Sequence, residues 1–239
     1  MSRIEFKPDF RNAQSSIGMN SCRLILFLKA PRLGFVKSRL AASIGETAAL
    51  QAYQTLVDIL IKRLSRLRAI ELRFTPDDAI AEVGHWLVPG WTSAPQLDGD
   101  LGSRLNRAFN DAFQSDCNRV VVIGSDCPTV TPDDIESAWQ ALETHEVVLG
   151  PATDGGYWLI GSRRPQPELF RGIAWSTPQV LEQTLRRAES LGLTVHQLQE
   201  RSDVDTASDW ESVASLLSVS RGTFQDDLLT PLRGFRSSS

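Results

Sequence analysis

The clearest buried strand of the chain is the run Arg119-Val120-Val121-Val122-Ile123-Gly124, which leads directly into Ser125-Asp126-Cys127-Pro128. A continuous apolar run of this length is typical of a strand covered on both faces of a parallel sheet. In an open α/β sheet, ligands bind outside the carboxyl ends of the strands. The run therefore predicts the fold class and also a functional edge, at which Asp126 stands.

Further strands and helices alternate along the chain on both sides of this run. Strands are predicted at 23–28, 69–74, 147–149, 157–160 and 193–198, and helices at 44–67, 101–113, 131–143, 178–191 and 207–217. The segment with Pro89, Gly90 and Pro95 is predicted to be a loop. This alternation predicts an α/β fold with a mostly parallel sheet between two layers of helices. We expect residues 21–218 to form one domain, 1–20 a flexible extension and 219–239 a tail.

The composition argues against several classes of protein. The 239 residues hold 25 Lys and Arg against 29 Asp and Glu, a net charge of −4, whereas a surface built for nucleic acid needs a basic excess. The three cysteines show neither a disulfide pattern nor zinc-ligand spacing. No apolar run resembles a signal peptide or a membrane span. We therefore expect a cytoplasmic protein without a nucleic-acid partner. The sequence does not decide whether the protein forms a homodimer.

A loop rich in cations follows the first strand. Its charged residues are Lys29, Arg32, Lys37 and Arg39, with Pro31 and Gly34 among them. Such a loop can wrap a phosphate chain and neutralise it, although it matches neither the P-loop nor the dinucleotide fingerprint. A solvated basic turn is the alternative. Its position at the carboxyl end of a strand favours phosphate binding.

Acids follow the central strand and the last predicted strand. Asp126 is well placed to hold Mg²⁺, which takes oxygen ligands and would stabilise charge on phosphate oxygens. The alternative is that Asp126 only caps a turn or a helix. Either Asp203 or Asp205 could share the metal with it, and the spacing does not choose between them. Asp209 is interpreted as an acid at a helix N-terminus.

Two later segments are candidates for the acceptor side of a site. Asp154-Gly155-Gly156 joins two apolar strands, and its residues are strong turn signals by themselves. Two glycines also let a ligand approach the backbone closely. Trp175-Ser176-Thr177-Pro178 predicts a helix start, with Ser176 or Thr177 as its cap. Free N–H groups there could bind an anion, but simple capping is favoured.

The segment from Gln96 to Leu105 is another polar, glycine-rich helix start. It carries Asp98, Gly99 and Arg104, and it is placed to reach the nucleotide base or the acceptor. The histidines show no spacing for metal or triad chemistry, so we interpret His85, His145 and His196 as structural.

Six motifs in this order resemble the bacterial DUF2064 family, whose members are usually described as glycosyltransferases of the GT-A fold. They are K-x-P-x-x-G-x-x-K-S-R-L at Lys29 to Leu40, D-G-D-L-G-x-R-L at Asp98 to Leu105, G-S-D-C-P at Gly124 to Pro128, D-G-G-Y-W-L-I-G at Asp154 to Gly161, W-S-T at Trp175 to Thr177 and D-V-D-T at Asp203 to Thr206. The resemblance covers about residues 22 to 210. More distantly, the chain is similar to 2-phospholactate and molybdenum cofactor guanylyltransferases.

The resemblance implies a GT-A three-layer α/β/α sandwich with a nucleotide at the carboxyl edge of the sheet. By that resemblance Asp126 and Asp205 would hold Mg²⁺ or Mn²⁺. The implied nucleotide and phosphate ligands are Lys29, Pro31, Gly34, Lys37, Arg39, Asp98, Gly99 and Arg104. The implied acceptor residues are Asp154, Gly155, Gly156, Ser176 and Thr177. The chain has Ser125-Asp126-Cys127 where many GT-A enzymes have D-x-D, so the first acid of that pair is missing.

Three functions remain open at this stage, and the first two are both transferases that act on an activated nucleotide. In nucleotidyl transfer, a small anionic acceptor attacks an NTP and pyrophosphate leaves, with Lys37, Arg39 and Asp126 as catalytic residues. In glycosyl transfer from a nucleotide-sugar, Asp154 would be the base for an acceptor hydroxyl. The third is a nucleotide-binding protein without turnover.

Overall fold

Seven strands form one sheet in the computed structural model, which describes residues 22–219. The strands are β1 (Cys22–Lys29), β2 (Ile70–Thr75), β3 (Thr92–Pro95), β4 (Arg119–Gly124), β5 (Val147–Pro151), β6 (Tyr157–Ser162) and β7 (Val195–Gln197). The helices are α1 (Ser38–Ile44), α2 (Glu46–Leu64), α3 (Ile80–Val83), α4 (Leu101–Gln114), α5 (Pro132–Ala141), α6 (Val180–Ser190) and α7 (Ala207–Val219). Short 3₁₀ turns lie at Gly84–Trp86 and Pro167–Phe170.

The strand order across the sheet is β3-β2-β1-β4-β6-β5-β7. Strand β6 runs antiparallel to its neighbours β4 and β5, and the other neighbouring pairs are parallel. The predicted α/β fold with a mostly parallel sheet is confirmed. Because six of the seven strands share one direction, their carboxyl ends meet along one edge.

Successive side chains of the central strands lie alternately in two core layers, one on each face of the sheet. On β1, Leu24, Leu26 and Leu28 face the layer that contains helices α2 and α5. Ile25 and Phe27 face the other layer, which contains helix α4. Burial on both faces explains why these strands are apolar without alternation, since each residue contacts a helix layer.

The predicted helix 44–67 is α2, which runs from Glu46 to Leu64, and helix α1 before it was not predicted. Gly45, which has a φ of 85°, separates the two helices. A side chain at that φ is strained, so glycine permits the break. Helix α1 and the N-terminal half of α2 pack against Val204 and Trp210 in a third core cluster.

The predicted loop before α4 contains regular structure as well. Strand β3 lies there at the sheet edge, with α3 and a 3₁₀ turn before it. The strand is four residues long and ends in Pro95, and an edge position is where a sheet tolerates proline. Such a short strand with proline gives a weak sequence signal.

The helix start predicted at Thr131 is confirmed. The Asp134 N–H donates to Thr131 Oγ1 at 3.4 Å, and the Thr131 N–H donates to Asp134 Oδ2 at 2.8 Å, which completes a capping box. No helix between residues 22 and 219 is both long and apolar enough to cross a membrane. Apart from Val219, the predicted extensions 1–20 and 219–239 lie outside the described residues.

Candidate functional site

A cleft of about 840 Å³ opens at the carboxyl edge of the sheet. Its floor includes the end of β4 at Gly124, and its walls come from the loop after β1, helix α2, the β5–β6 hairpin and the segment before α7. The predicted site residues that line it are Lys29, Lys37, Arg39, Arg104, Asp126, Asp154, Gly156, Ser176, Thr177 and Asp205. All six motifs named above therefore contribute at least one predicted site residue to the cleft.

Asp126 is held at this edge by the backbone. Its carbonyl oxygen accepts a hydrogen bond from the Val204 N–H at 3.0 Å, which joins the loop after β4 to the segment before α7. The Asp126 side chain is 49% exposed and faces the cleft. A half-exposed carboxylate at a strand end is free to bind a ligand, which a capping acid is not.

The ammonium of Lys37 lies between the two predicted metal ligands. Its Nζ contacts Asp126 Oδ1, and it donates to Asp205 Oδ1 at 3.3 Å and to the Val204 carbonyl oxygen at 2.6 Å. The Lys37 side chain is 3% exposed. The sequence predicts that a metal ion holds Asp126 and Asp205 together. In this structure the ammonium of Lys37 holds them together instead.

Carboxylates are crowded around this ammonium. Burial, and then the negative charges of Asp126, Asp154 and Asp205, raise the pKa of Asp203 to about 7, against the opposing effect of Lys37. Asp203 also lines the cleft. The structure therefore adds Asp203 to the site beside Asp205, so the choice between them that the sequence left open is not exclusive.

These carboxylates have the donor chemistry of a divalent-cation site. Hard cations such as Mg²⁺ take oxygen ligands, and the crowded negative charge would be offset by one. In the described part of the chain, no three His, Cys, Asp or Glu side chains converge on one point as they stand. The residues fit the chemistry of the metal, and Lys37 stands among them.

The other cationic side chains in this region differ in their exposure and in the partners that hold them. Arg39 is 71% exposed, and its Nη1 is 3.5 Å from Asp205 Oδ2. Arg104 donates to the Gly99 carbonyl oxygen at 3.0 Å and reaches Gln96 Oε1 at 3.4 Å. Arg32 instead contacts Glu82 and Asp78 near α3, and does not line the cleft. Of the four loop cations, Lys29, Lys37 and Arg39 line the cleft, and Lys37 is held by the acids.

Five predicted ligand residues do not line the cleft: Pro31, Gly34, Asp98, Gly99 and Gly155. Asp98 and Gly99 instead offer their carbonyl oxygens to Arg107 and Arg104. Pro31 and Gly34 lie on the loop between Lys29 and Val36, and both of those residues line the cleft. A role for these five would be in shaping the neighbouring segments.

Gly155 fixes the hairpin against α6. Its φ is 86°, and a Cβ built there would be 2.1 Å from the Pro178 carbonyl oxygen. The Leu181 N–H donates to the Gly155 carbonyl oxygen at 2.9 Å, so the hairpin supplies a partner at the start of the helix. Within the same turn, Asp154 Oδ1 accepts from the Gly156 N–H at 2.9 Å.

The predicted capping of this helix by Ser176 or Thr177 is wrong. Helix α6 begins at Val180, and its N-cap Gln179 makes no side-chain capping bond. Thr177 Oγ1 donates to the Ala174 carbonyl oxygen at 2.7 Å, inside the preceding turn. Ser176 is exposed with a φ of 64° and lines the cleft.

Tyr53 is a site residue that the sequence did not indicate. Its hydroxyl accepts from the Lys29 N–H and donates to the Lys29 carbonyl oxygen, both at 2.8 Å, and lies 3.5 Å from Ser125 Oγ. Burial raises the pKa of the Tyr53 phenol. The helical pattern placed Tyr53 on the buried face of α2, but no local signal shows that its hydroxyl links β1 to β4.

Arg201 does not line the cleft but supports it from behind, and the sequence did not indicate this role. Its guanidinium donates to Asp134 Oδ1 at 2.6 Å and to Thr129 at 3.4 to 3.5 Å, and it lies 5.4 Å from the Trp158 ring centroid. Its backbone pairs with the β5–β6 hairpin, donating to Pro151 O at 3.0 Å. Arg201 thereby ties the hairpin, the loop after β4 and the Asp203–Asp205 segment into one unit.

Comparisons with known proteins show which families and folds this chain is similar to. The family model described as "Uncharacterized protein conserved in bacteria (DUF2064)" matches residues 62–177. A Desulfovibrio desulfuricans G20 structure, provisionally described as a nucleotide-diphospho-sugar transferase, is 32% identical with a TM-score of 0.78; the match covers 90% of this chain and 94% of that one. The phosphoenolpyruvate guanylyltransferase of Sphaerobacter thermophilus is 24% identical over 80% of this chain and 92% of its own length.

A nucleotidyl transferase structure from Methanothermobacter shares the fold at 12% identity, with a TM-score of 0.57 over 83% of this chain and 99% of that one. Together these similarities confirm the fold expected from the motifs, the GT-A type of nucleotide-diphospho-sugar transferases. They also show that the chain is an enzyme of the transferase class.

Proposed function

We propose that this chain, which belongs to the DUF2064 family of bacterial proteins, is a metal-dependent nucleotidyltransferase. An oxygen of a small anionic acceptor forms a bond to the α-phosphorus of an NTP, the bond from that phosphorus to the bridging oxygen breaks, and pyrophosphate leaves. Because the acceptor is already an anion, no strong general base is required. The family membership rests on the matched model and on the 32% identical relative.

One observation carries the proposal: a cluster of acids and cations shares the cleft at the carboxyl edge. Lys29, Arg39 and Arg104 line it together with the acids around Lys37. A triphosphate carries more negative charge than a nucleoside-diphosphate sugar, so three cations beside the acids favour an NTP. Guanidinium groups at such a position bind phosphate oxygens with charge-assisted hydrogen bonds.

The residues of the chain act mainly by position and charge. Lys29 and Arg104 bind the phosphates, while Lys37 and Arg39 stabilise the charge that develops as pyrophosphate leaves. Asp126 and Asp205 would hold Mg²⁺ or Mn²⁺, with Asp203 beside them. When bound, that cation supplies further stabilisation of charge on the phosphate oxygens. The Asp154 turn with Ser176 and Thr177 holds the acceptor.

A pyrophosphate-release assay tests this proposal. Thermal shift first identifies the NTP that stabilises the protein, since a ligand of the native state raises the melting temperature. GTP and phosphoenolpyruvate come first because of the curated relative's name. We expect pyrophosphate to form with one NTP and one anionic acceptor, and chelation of divalent cations to stop it. No pyrophosphate with any NTP and acceptor would contradict the proposal.

Glycosyl transfer is the second candidate, favoured by the description of the 32% identical relative. Asp154 would then take the proton of an acceptor hydroxyl, and a nucleoside diphosphate would leave. Release of a nucleoside diphosphate from a nucleotide-sugar, without pyrophosphate from any NTP, would establish this alternative. Binding of nucleotide without either product would instead indicate a non-catalytic protein.

A further inference from the structure

We propose that the Lys37 ammonium takes the place of the divalent cation in the free protein and leaves it when the cation binds. The ammonium and the cation would then compete for the same oxygens. This inference rests on the proposed metal dependence of the site. It assigns Lys37 a role in the free protein that differs from phosphate binding.

The Nζ atom of Lys37 is already surrounded by oxygens in the free protein. A lysine ammonium has three N–H donors. Lys37 donates to Asp205 and to the Val204 carbonyl oxygen and forms an ion pair with Asp126, so three oxygens surround its ammonium. Lys37 can therefore bind a nucleotide only after it gives up some of these contacts.

The Lys37 side chain is buried, whereas its two carboxylate partners are partly exposed. The Lys37 side chain is 3% exposed, whereas those of Asp126 and Asp205 are 49% and 37% exposed. The ammonium thus lies on the inner side of the acids, and both acids keep a face open to the cleft. A cation arriving from the cleft meets the same carboxylates, and its charge repels the ammonium.

The cleft offers Lys37 new partners once it leaves the acids. The residue precedes α1 with a φ of 51°, and its side chain also lines the cleft beside Arg39. The phosphates of a bound nucleotide would supply new acceptors there. Cation and nucleotide should therefore favour each other, because the cation releases the lysine that the phosphates then bind.

Mn²⁺ binding to nucleotide-free protein tests the competition, measured by calorimetry and by the loss of the free Mn²⁺ electron paramagnetic resonance signal. We expect Lys37→Met to bind Mn²⁺ at least about fivefold more tightly than the wild type, within the usual range of coupling between sites. Arg39→Met is the matched control. It removes the same charge near Asp205, but from a 71% exposed side chain, so its effect should be smaller.

A second measurement needs no variant. The amine of Lys37 should react slowly with an acylating reagent in the metal-free protein, because it is buried and ion-paired. Mg²⁺ alone should raise its labelling severalfold by mass spectrometry, while Lys29 and an equal ionic strength of NaCl serve as controls.

Three outcomes would overturn the inference: Lys37→Met binds Mn²⁺ no more tightly than the wild type, it binds none at all, or Mg²⁺ leaves Lys37 labelling unchanged. The proposed function is judged separately, by metal-dependent pyrophosphate release from the wild type with nucleotide present. That assay can succeed while the competition fails.

Discussion

The main-chain N–H of Val204 donates a hydrogen bond to the carbonyl oxygen of Asp126 at 3.0 Å. This bond joins two segments that are far apart in sequence, directly beside both predicted metal ligands. The backbone therefore fixes the separation of the acids. The carboxylate of Asp126 is left half-exposed and pairs with the buried ammonium of Lys37.

Asp126→Ala should abolish activity and leave the fold intact. We expect pyrophosphate release to fall by at least about 100-fold, a typical loss when one electrostatic group of an active site is removed. The fold should persist, but the free energy of unfolding should fall by about 1–3 kcal/mol, because the buried Lys37 ammonium loses one of its two carboxylate partners. Asp133→Ala, an exposed acid on α5, is the control and should retain activity. Full activity of Asp126→Ala would remove the metal assignment.

Gly155→Ala should destabilise the protein much more than Gly90→Ala. Both glycines have a φ near 90°, but a Cβ at Gly155 meets the Pro178 carbonyl oxygen at 2.1 Å, whereas one at Gly90 meets nothing within 4 Å. The backbone strain alone costs about 1–2 kcal/mol, and the clash adds to it only at Gly155. Urea denaturation of both variants measures the difference. Equal losses of stability would show that the hairpin shifts to accept the Cβ at Gly155 at no cost in free energy.

Tyr53→Phe and Tyr157→Phe should have opposite consequences. The Tyr53 hydroxyl bonds both backbone groups of Lys29, whereas the buried Tyr157 hydroxyl makes no hydrogen bond of good geometry and lies beside the Thr184 hydroxyl, which already donates to the Val180 carbonyl oxygen. Loss of the Tyr53 hydroxyl should lower the free energy of unfolding by about 1–3 kcal/mol. Loss of the Tyr157 hydroxyl should leave it unchanged or raise it. A thermal or urea melt of the two variants decides, and an equal response would contradict the Tyr53 contact.

Arg201→Gln should lower both stability and activity. It removes charge-assisted bonds to Asp134 and Thr129 from a side chain that is 20% exposed, at an expected cost of about 2–3 kcal/mol. Arg186→Gln is the matched control, since its pair with Glu182 is 73% and 59% exposed and should contribute at most about 0.5 kcal/mol. If Arg201→Gln behaves like the control in urea, the three segments are held together by their backbone bonds alone.

Much of the fold could be predicted because its strands and helices have strong local patterns. Strand β4 was predicted with its bounds, Arg119 to Gly124, and α4 within one residue. Helix α1 was missed because it has seven residues and buries only Leu40 and Ile44, which is too few to show a helical pattern. Strand β3 was missed because an edge strand of four residues is stabilised by pairing with β2, which no local pattern shows.

The site could be predicted only in part. Position at a strand end placed Lys29 and Asp126 on the cleft, since the parallel sheet brings those ends together. The contacts of Lys37 with Asp126 and Asp205 span a large part of the sequence, so spacing could not reveal them. For the same reason the sequence did not show that Asp203 and Asp205 both line the cleft, or that Tyr53 and Arg201 support it.

The segment that carries Asp203 and Asp205 has a consequence for synthesis of the protein. Strands β1 to β6 are complete once residue 162 has been made, but the acids at 203 and 205 come more than 40 residues later. A nascent chain can therefore pair most of its sheet while the acid cluster is still missing half its members. The proposed cation site is therefore among the last parts of the domain to be completed.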